Sequence, residues 1–294
     1  MDNGANTRFD RRTMLGAGVS FLLSPRFSFA REMSSELSIR FGLTPVFLTS
    51  DLELLGRLQA YLQRATGSPV DLITRRTYQE ITTLLVSGQL DAAWICGYPF
   101  VVHRSQLQLV AVPLWHGKPL YQSYLIVDRD RRAESLTDLR GDIHAFSDPD
   151  SNSGFLVTRA ALAEQGLRPE TFFSKIFYTY GHRNVIRAVA SGLAGSGSVD
   201  GYVYDVVAEL EPELTSGIRI LRRSEWLGFP PIAAPRIPVD ENRLAALTAA
   251  LLRMGNDPDG RAALSMLRLD GFAVEPPTLF DAIAAKAALV AASG

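Results

Sequence analysis

A run of alternating strand-like and helix-like segments, passed through once and then again, is what most limits the folds open to this chain of 294 residues. Alternating apolar residues over 37–43 mark a first strand, ended by Thr44-Pro45. Leu54, Leu55, Leu58, Tyr61 and Leu62 then form a helical stripe within 51–66. Residues 70–73 read as a second strand, Tyr78 to Gly88 as a second helix, and 91–96 as a third strand, stopped at Gly97-Tyr98-Pro99. This order predicts a parallel sheet wrapped by helices. Two strands at 109–114 and 121–127 follow, joined by His116-Gly117-Lys118-Pro119. The series then restarts with strand 143–146, helix 155–165, strand 175–180, helix 184–191 and the strand-like 198–202. The Ser-Gly run at 191–198 reads as a loop. A strand from about Arg219, the loop Phe229-Pro230-Pro231-Ile232 and helices at 240–253, 259–266 and 278–291 close the chain. Two α/β units joined by crossover strands predict two lobes with a cleft between them, the closing helices packing on the first. Residues 31–120 plus 226–294 form lobe 1 in this reading, and 121–225 form lobe 2. Ligands of such sheets bind beyond the carboxyl ends of the strands.

The first thirty residues stand apart from that pattern. Arg8, Arg11 and Arg12 make a basic head, and an uncharged stretch runs from Leu15 to Leu23. Ser28-Phe29-Ala30 offers small residues at a cleavage site, so 1–30 read as an export signal removed near Ala30. Thr13-Met14-Leu15 after the paired arginines favours the twin-arginine route over the general one. The apolar stretch is too short to span a bilayer. With 30 basic and 31 acidic residues the chain has a net charge of −1. Removing a signal with four arginines and two aspartates brings that to −3. A nucleic-acid partner, which needs a basic stripe, is not expected. Four histidines and a lone cysteine show no metal-ligand spacing, and no cofactor motif is present.

The segment Ser147-Asp148-Pro149-Asp150-Ser151-Asn152-Ser153-Gly154 joins a predicted strand to a predicted helix. Ser and Asn there can cap the helix while its first N–H groups stay free. Those donors, the positive end of the helix dipole and the hydroxyls of Ser151 and Ser153 suit a small oxyanion. An ordinary N-cap without ligand satisfies the same eight residues.

With these pieces placed, nearly the whole mature chain resembles the phosphonate-binding branch of the type II periplasmic substrate-binding proteins. The resemblance is carried by Leu43-Thr44-Pro45, Leu90-Asp91-Ala92-Ala93-Trp94, Ser135-Leu136-Thr137-Asp138-Leu139-Arg140-Gly141, Asp148-Pro149 with Ser151-Asn152-Ser153-Gly154, Gly181-His182-Arg183-Asn184-Val185 and Val199-Asp200-Gly201. It implies an α/β fold of two lobes, each a mixed sheet flanked by helices, closing as a monomer on a small oxyanion in the periplasm. It implies an ABC permease as partner or, for a sensor, the periplasmic domain of a histidine kinase. The family's anion cradle falls on Ser151, Asn152 and Ser153, with Asn152 where threonine is common. His182 matches a histidine facing the same pocket, Tyr98 a residue lining the first lobe, and Asp205 a polar or acidic contact. Each has a plainer reading: His182 as a helix cap, Tyr98 as a core aromatic, Asp205 as a solvated helix residue. Trp115, His116 and Tyr121 lie near the expected hinge and read equally as walls of the cleft or as packing groups; His103, Arg104 and His144 have no assignable partner.

Cys96 ends the third strand, at the rim of the expected cleft. It is a buried inert thiol, or a soft ligand suited to trivalent arsenic. A subgroup that the chain resembles binds arsenite through one such cysteine for a sensor kinase. A third alternative pairs Cys96 with His182 as nucleophile and base of an enzyme, but no third residue orienting the histidine can be named.

Overall fold

The computed structural model describes residues 38–45 and 52–293; the export signal read at 1–30 lies outside them. The chain opens with β1 (Ile39–Leu43), α1 (Leu52–Thr66), β2 (Val70–Thr74), α2 (Tyr78–Val86), β3 (Ala92–Trp94), α3 (Gly97–Val102) and β4 (Leu107–Leu114). It crosses through β5 (Leu120–Tyr121) into β6 (Ser123–Asp128) and β7 (Ile143–Phe146). A helical run over 152–163 ends in α4 (Val157–Ala163), followed by β8 (Lys175–Tyr178), α5 (His182–Ala190), β9 (Ser196–Asp200), α6 (Gly201–Leu210) and β10 (Ile218–Arg223). The return passes through β11 (Leu227–Gly228) to β12 (Ile232–Pro235), α7 (Glu241–Arg253), α8 (Pro258–Leu267), β13 (Gly271–Ala273) and α9 (Asp281–Ala292).

Two sheets result, and they share one plan. The first has the order β2-β1-β3-β12-β4-β13, the second β8-β7-β9-β6-β10. In the first, β1 lies parallel to β2 and β3, and β12 runs antiparallel between β3 and β4. In the second, β7 lies parallel to β8 and β9, and β6 runs antiparallel between β9 and β10. Each lobe thus borrows its antiparallel strand at a crossover. The two crossing segments pair with each other, Tyr121 opposite Leu227 and Leu120 opposite Gly228. This short antiparallel ribbon joins the lobes.

Local chemistry fixes the helix starts that matter below. Thr77 and Glu80 form a reciprocal capping box that opens α2. Asp200 accepts the Val203 N–H at 3.2 Å and opens α6 at Gly201. That cap is why Gly201 and Tyr202, read as strand in the sequence, are helical.

The loop expected at 191–198 is corrected as well, because Ser196–Asp200 form β9, a fully buried inner strand. Its small residues are there for close packing: a Cβ on Gly197 would stand 2.6 Å from Val185 Cγ1 on α5. The hydroxyls of Ser196 and Ser198 lie 2.8 and 2.9 Å from the two ring nitrogens of His144, which stacks on Phe173. His144 is a core group with its polar atoms satisfied. Burial pushes its imidazole down to about 3.

The closing helices also differ in part from expectation. α7 and α8 pack on α1 in the first lobe, whereas α9 touches both α3 of the first lobe and α4 of the second. Among the described residues no helix is long and apolar enough to cross a membrane.

Candidate functional site

Sheets of this plan bring their helix starts to one edge. α2 begins at Tyr78, α3 just after Cys96, the 152–163 run at Asn152, α5 at His182 and α6 just after Asp200. These residues, drawn from both lobes, meet in one buried cluster.

The second lobe supplies the cradle. Ser151 caps the run, its hydroxyl accepting the Gly154 N–H at 2.9 Å. The first turn is widened to a π-turn, with the Leu156 N–H bonded to the Ser151 carbonyl. Such turns recur at functional sites. Only glycine fits at 154, where a Cβ would fall 1.9 Å from Ser147 Oγ and 3.0 Å from His182 Cε1. The Asp148 carboxylate holds the loop by accepting the Asp150 N–H at 2.8 Å. It also accepts the Tyr78 N–H of the first lobe at 3.2 Å.

Cys96 faces this cradle from the first lobe. Its Sγ accepts the Asn152 N–H at 3.1 Å, so the first amide of the run points at the thiol of the other lobe. Burial pushes the Cys96 thiol up to about 12, and the amides of Asn152 and Tyr98 pull it back only in part. The sulfur stays protonated near neutral pH.

His182 is buried, and burial pushes its imidazole down to about 3. The neutral ring has one N–H. Nδ1 accepts the Asp200 N–H at 3.1 Å, which leaves the proton on Nε2, 3.2 Å from the Tyr78 hydroxyl across the lobe boundary. Tyr78 Oη therefore accepts from His182.

Asp200 and Tyr121 complete the cluster. Burial raises the Asp200 carboxyl to about 7, against the opposing hydrogen bonds of Val203, Tyr202 and Ser153. Ser153 Oγ donates to Asp200 Oδ2 at 3.4 Å, and Asn152 Nδ2 donates to the Tyr121 hydroxyl at 2.8 Å. No lysine or arginine belongs to this group, and no cluster of three metal-ligating side chains occurs among the described residues.

The structure thus brings together five of the sequence-derived residues: Cys96, Ser151, Asn152, Ser153 and His182. Tyr98 is half-buried just beyond, with Asp150 and Arg159 acting on its hydroxyl. Asp205 stands elsewhere on α6, half-buried, accepting the Tyr124 hydroxyl at 3.0 Å beside Arg223. Sequence reasoning missed Tyr78, Asp148 and Asp200 as members of the cluster; Tyr121, read as a cleft wall or a packing group, is a member through Asn152. The signal for Asp200 was present: an acidic residue between a strand and a helix start is placed by the same logic as Ser151.

Residues 41–275 match the family model described as ABC transporter, phosphonate, periplasmic substrate-binding protein. The chain is similar to the phosphate-import protein PhnD of Mycolicibacterium smegmatis, 27% identical over 185 residues, covering 58% of this chain and 56% of that protein. It therefore spans little more than half the length of this curated relative. Among solved structures it resembles a binding-protein component of an ABC phosphonate transporter from Pseudomonas aeruginosa, with TM-score 0.79, 19% identity and coverage of 88% and 89% of the two chains. It also resembles PhnD1 of Prochlorococcus marinus in complex with methylphosphonate, with TM-score 0.76, 17% identity and coverage of 85% and 97%. At such identities the structures establish the shared two-lobed fold.

Proposed function

Because the chain belongs to the phosphonate family of ABC-transporter periplasmic substrate-binding proteins, we propose that it closes its lobes on a small phosphorus oxyanion, phosphonate-, phosphite- or phosphate-like, and presents it to an ABC permease. Its relative in Mycolicibacterium smegmatis carries the name of a phosphate importer. The observation that carries the reading is the Asn152 N–H of the second lobe, 3.1 Å from Cys96 Sγ of the first. A guest seated there is held by helix-start amides on one side and walled by Tyr78, Cys96 and Tyr121 on the other. With no lysine or arginine in the group, the negative oxygens rest on backbone N–H groups and helix dipoles. Asp200 takes the acidic position in this proposal, in place of Asp205.

Calorimetric titration of the purified protein with phosphate, phosphite and methylphosphonate tests the reading. Saturable one-to-one binding of at least one is expected, and heat from none of them refutes it. Transport follows if the chain stimulates a permease ATPase only in the presence of that ligand.

Cys96 favours one second reading. A thiol lying between Asn152 and Tyr121, in a site without a cationic side chain, suits neutral arsenous acid, with signalling to a membrane histidine kinase as the role. Protection of Cys96 from alkylation by arsenite, with no protection by methylphosphonate, would replace the first reading with this one.

The family is one of binding proteins rather than enzymes, and the site agrees. A thiol pushed up to about 12 is a poor source of thiolate, and an imidazole pushed down to about 3 is a poor proton acceptor for it.

A further inference from the structure

Beyond the proposed class of ligand, and resting on it, the cluster contains a group whose chemistry selects among oxyanions. Asn152 is fully buried, and its Oδ1 is one of the buried side-chain atoms with no hydrogen-bond partner among the described residues. An orphaned acceptor of this kind is costly unless a guest supplies a donor.

The Asn152 amide is oriented by Tyr121. Nδ2 donates to the Tyr121 hydroxyl at 2.8 Å, and Oδ1 is left over. The backbone of the same residue is meanwhile a donor at the start of the helical run 152–163, bonded to Cys96 Sγ of the opposite lobe. A donor and an unspent acceptor thus stand on one residue at the lobe boundary.

We propose that Asn152 Oδ1 is the selectivity group of the cleft, an acceptor that requires a hydroxyl hydrogen from the guest. A phosphorus oxyacid that retains one proton is held, and a sulfur oxyanion of the same shape without a proton is refused. The amides take the ionised oxygens, Asn152 Oδ1 takes the P–OH, and Tyr121 is the positioning residue that keeps the amide from turning. A site built to bond a ligand hydroxyl discriminates against the analogue lacking it, because its own polar atom then stays unpaired in a dry site.

Methylphosphonate and methanesulfonate make the decisive pair, equal in size and shape, one with an ionisable second proton and one with none. Titrated into the protein at neutral pH, the sulfonate binds about tenfold to a hundredfold more weakly, the range set by one unpaired buried acceptor. In Tyr121→Phe the amide is free to present its nitrogen, and the ratio falls to within about threefold. A merely structural role for Tyr121 would weaken both ligands alike and leave the ratio intact. Asn152→Leu, which deletes the acceptor, collapses the ratio by a second route. Equal affinity of the native protein for the two ligands, or an unchanged ratio in both variants, overturns the inference while oxyanion binding stands. Binding of neither ligand overturns the inference, and the phosphorus-oxyanion reading falls with it only when phosphate and phosphite also fail to bind.

Discussion

Asp200→Asn isolates the energetic cost of one buried carboxyl. Asn is as good a helix N-cap as Asp and is nearly isosteric with it, so the Val203 contact that opens α6 survives the change. What changes is titration. Burial raises the Asp200 carboxyl to about 7. In the unfolded chain it returns to about 3.9. Between those values the folded protein binds more protons than the unfolded one, so this group makes stability fall as pH rises. Its full contribution is present below about pH 4 and lost by about pH 7. The gap of about 3 units corresponds to about 4 kcal/mol at 1.36 kcal/mol per unit. The variant has no such loss. Urea denaturation of both proteins from pH 4 to pH 8 should therefore show Asp200→Asn gaining on the native protein by about 4 kcal/mol. In thermal melts the same gain appears as a relative rise in Tm of about 10 °C. The buried histidines titrate identically in both proteins and cancel in the difference. Parallel curves across that range would show that Asp200 ionises as freely in the fold as in water, and the dry cluster described above would be refuted.

Gly154→Ala places a methyl 1.9 Å from Ser147 Oγ and 2.7 Å from its Cβ, and costs about 1–3 kcal/mol with loss of ligand binding; the double variant with Ser147→Gly recovers much of both, and unaltered melting and titration of the single variant would refute the packing argument. His144 and His182, held near 3 against about 6.5 unfolded, contribute stability that is present above about pH 6.5 and lost as pH falls toward 3. Compared with His144→Asn, the native protein should lose about one more proton's worth of stability per pH unit in the window from about 6 to 4 by urea denaturation; parallel profiles would contradict a neutral buried imidazole. Cys96, with its thiol near 12, should react with iodoacetamide at about pH 8 about a thousandfold more slowly in the closed protein than after denaturation; equal rates with saturating ligand present would place the sulfur outside the closed cleft.

The features written in local pattern were legible, and those that depend on what packs opposite were not. The β-α-β-α-β order of each lobe follows from apolar periodicity, and the oxyanion cradle from Ser and Asn at a strand-to-helix turn. The strand at Ser196–Asp200 was hidden because its residues are serines and glycine, a composition that also makes loops. They are strand here because Val185 and Val189 leave no room for a side chain at 197, and because His144 needs two hydroxyls. His144 and the Ser-Gly run therefore explain one another, yet they lie more than fifty residues apart in sequence.

The same limit separates Asp200 from Asp205. Both are acidic, both lie near the start of α6, and a resemblance in spacing does not distinguish them. The helix start does: Asp200 is the cap, so its carboxylate turns back over the first turn toward Ser153. Asp205 lies one turn and a half farther on, where its side chain meets Tyr124 and Arg223. A cap position fixes a side chain's direction, whereas a mid-helix position leaves that to whatever packs against the face. Residues that begin helices at the carboxyl ends of strands can therefore be brought together from sequence pattern, as Ser151 and His182 were, and the same logic extends to Asp200. Tyr121, on the crossing strand, owes its place to the pairing of two segments more than a hundred residues apart.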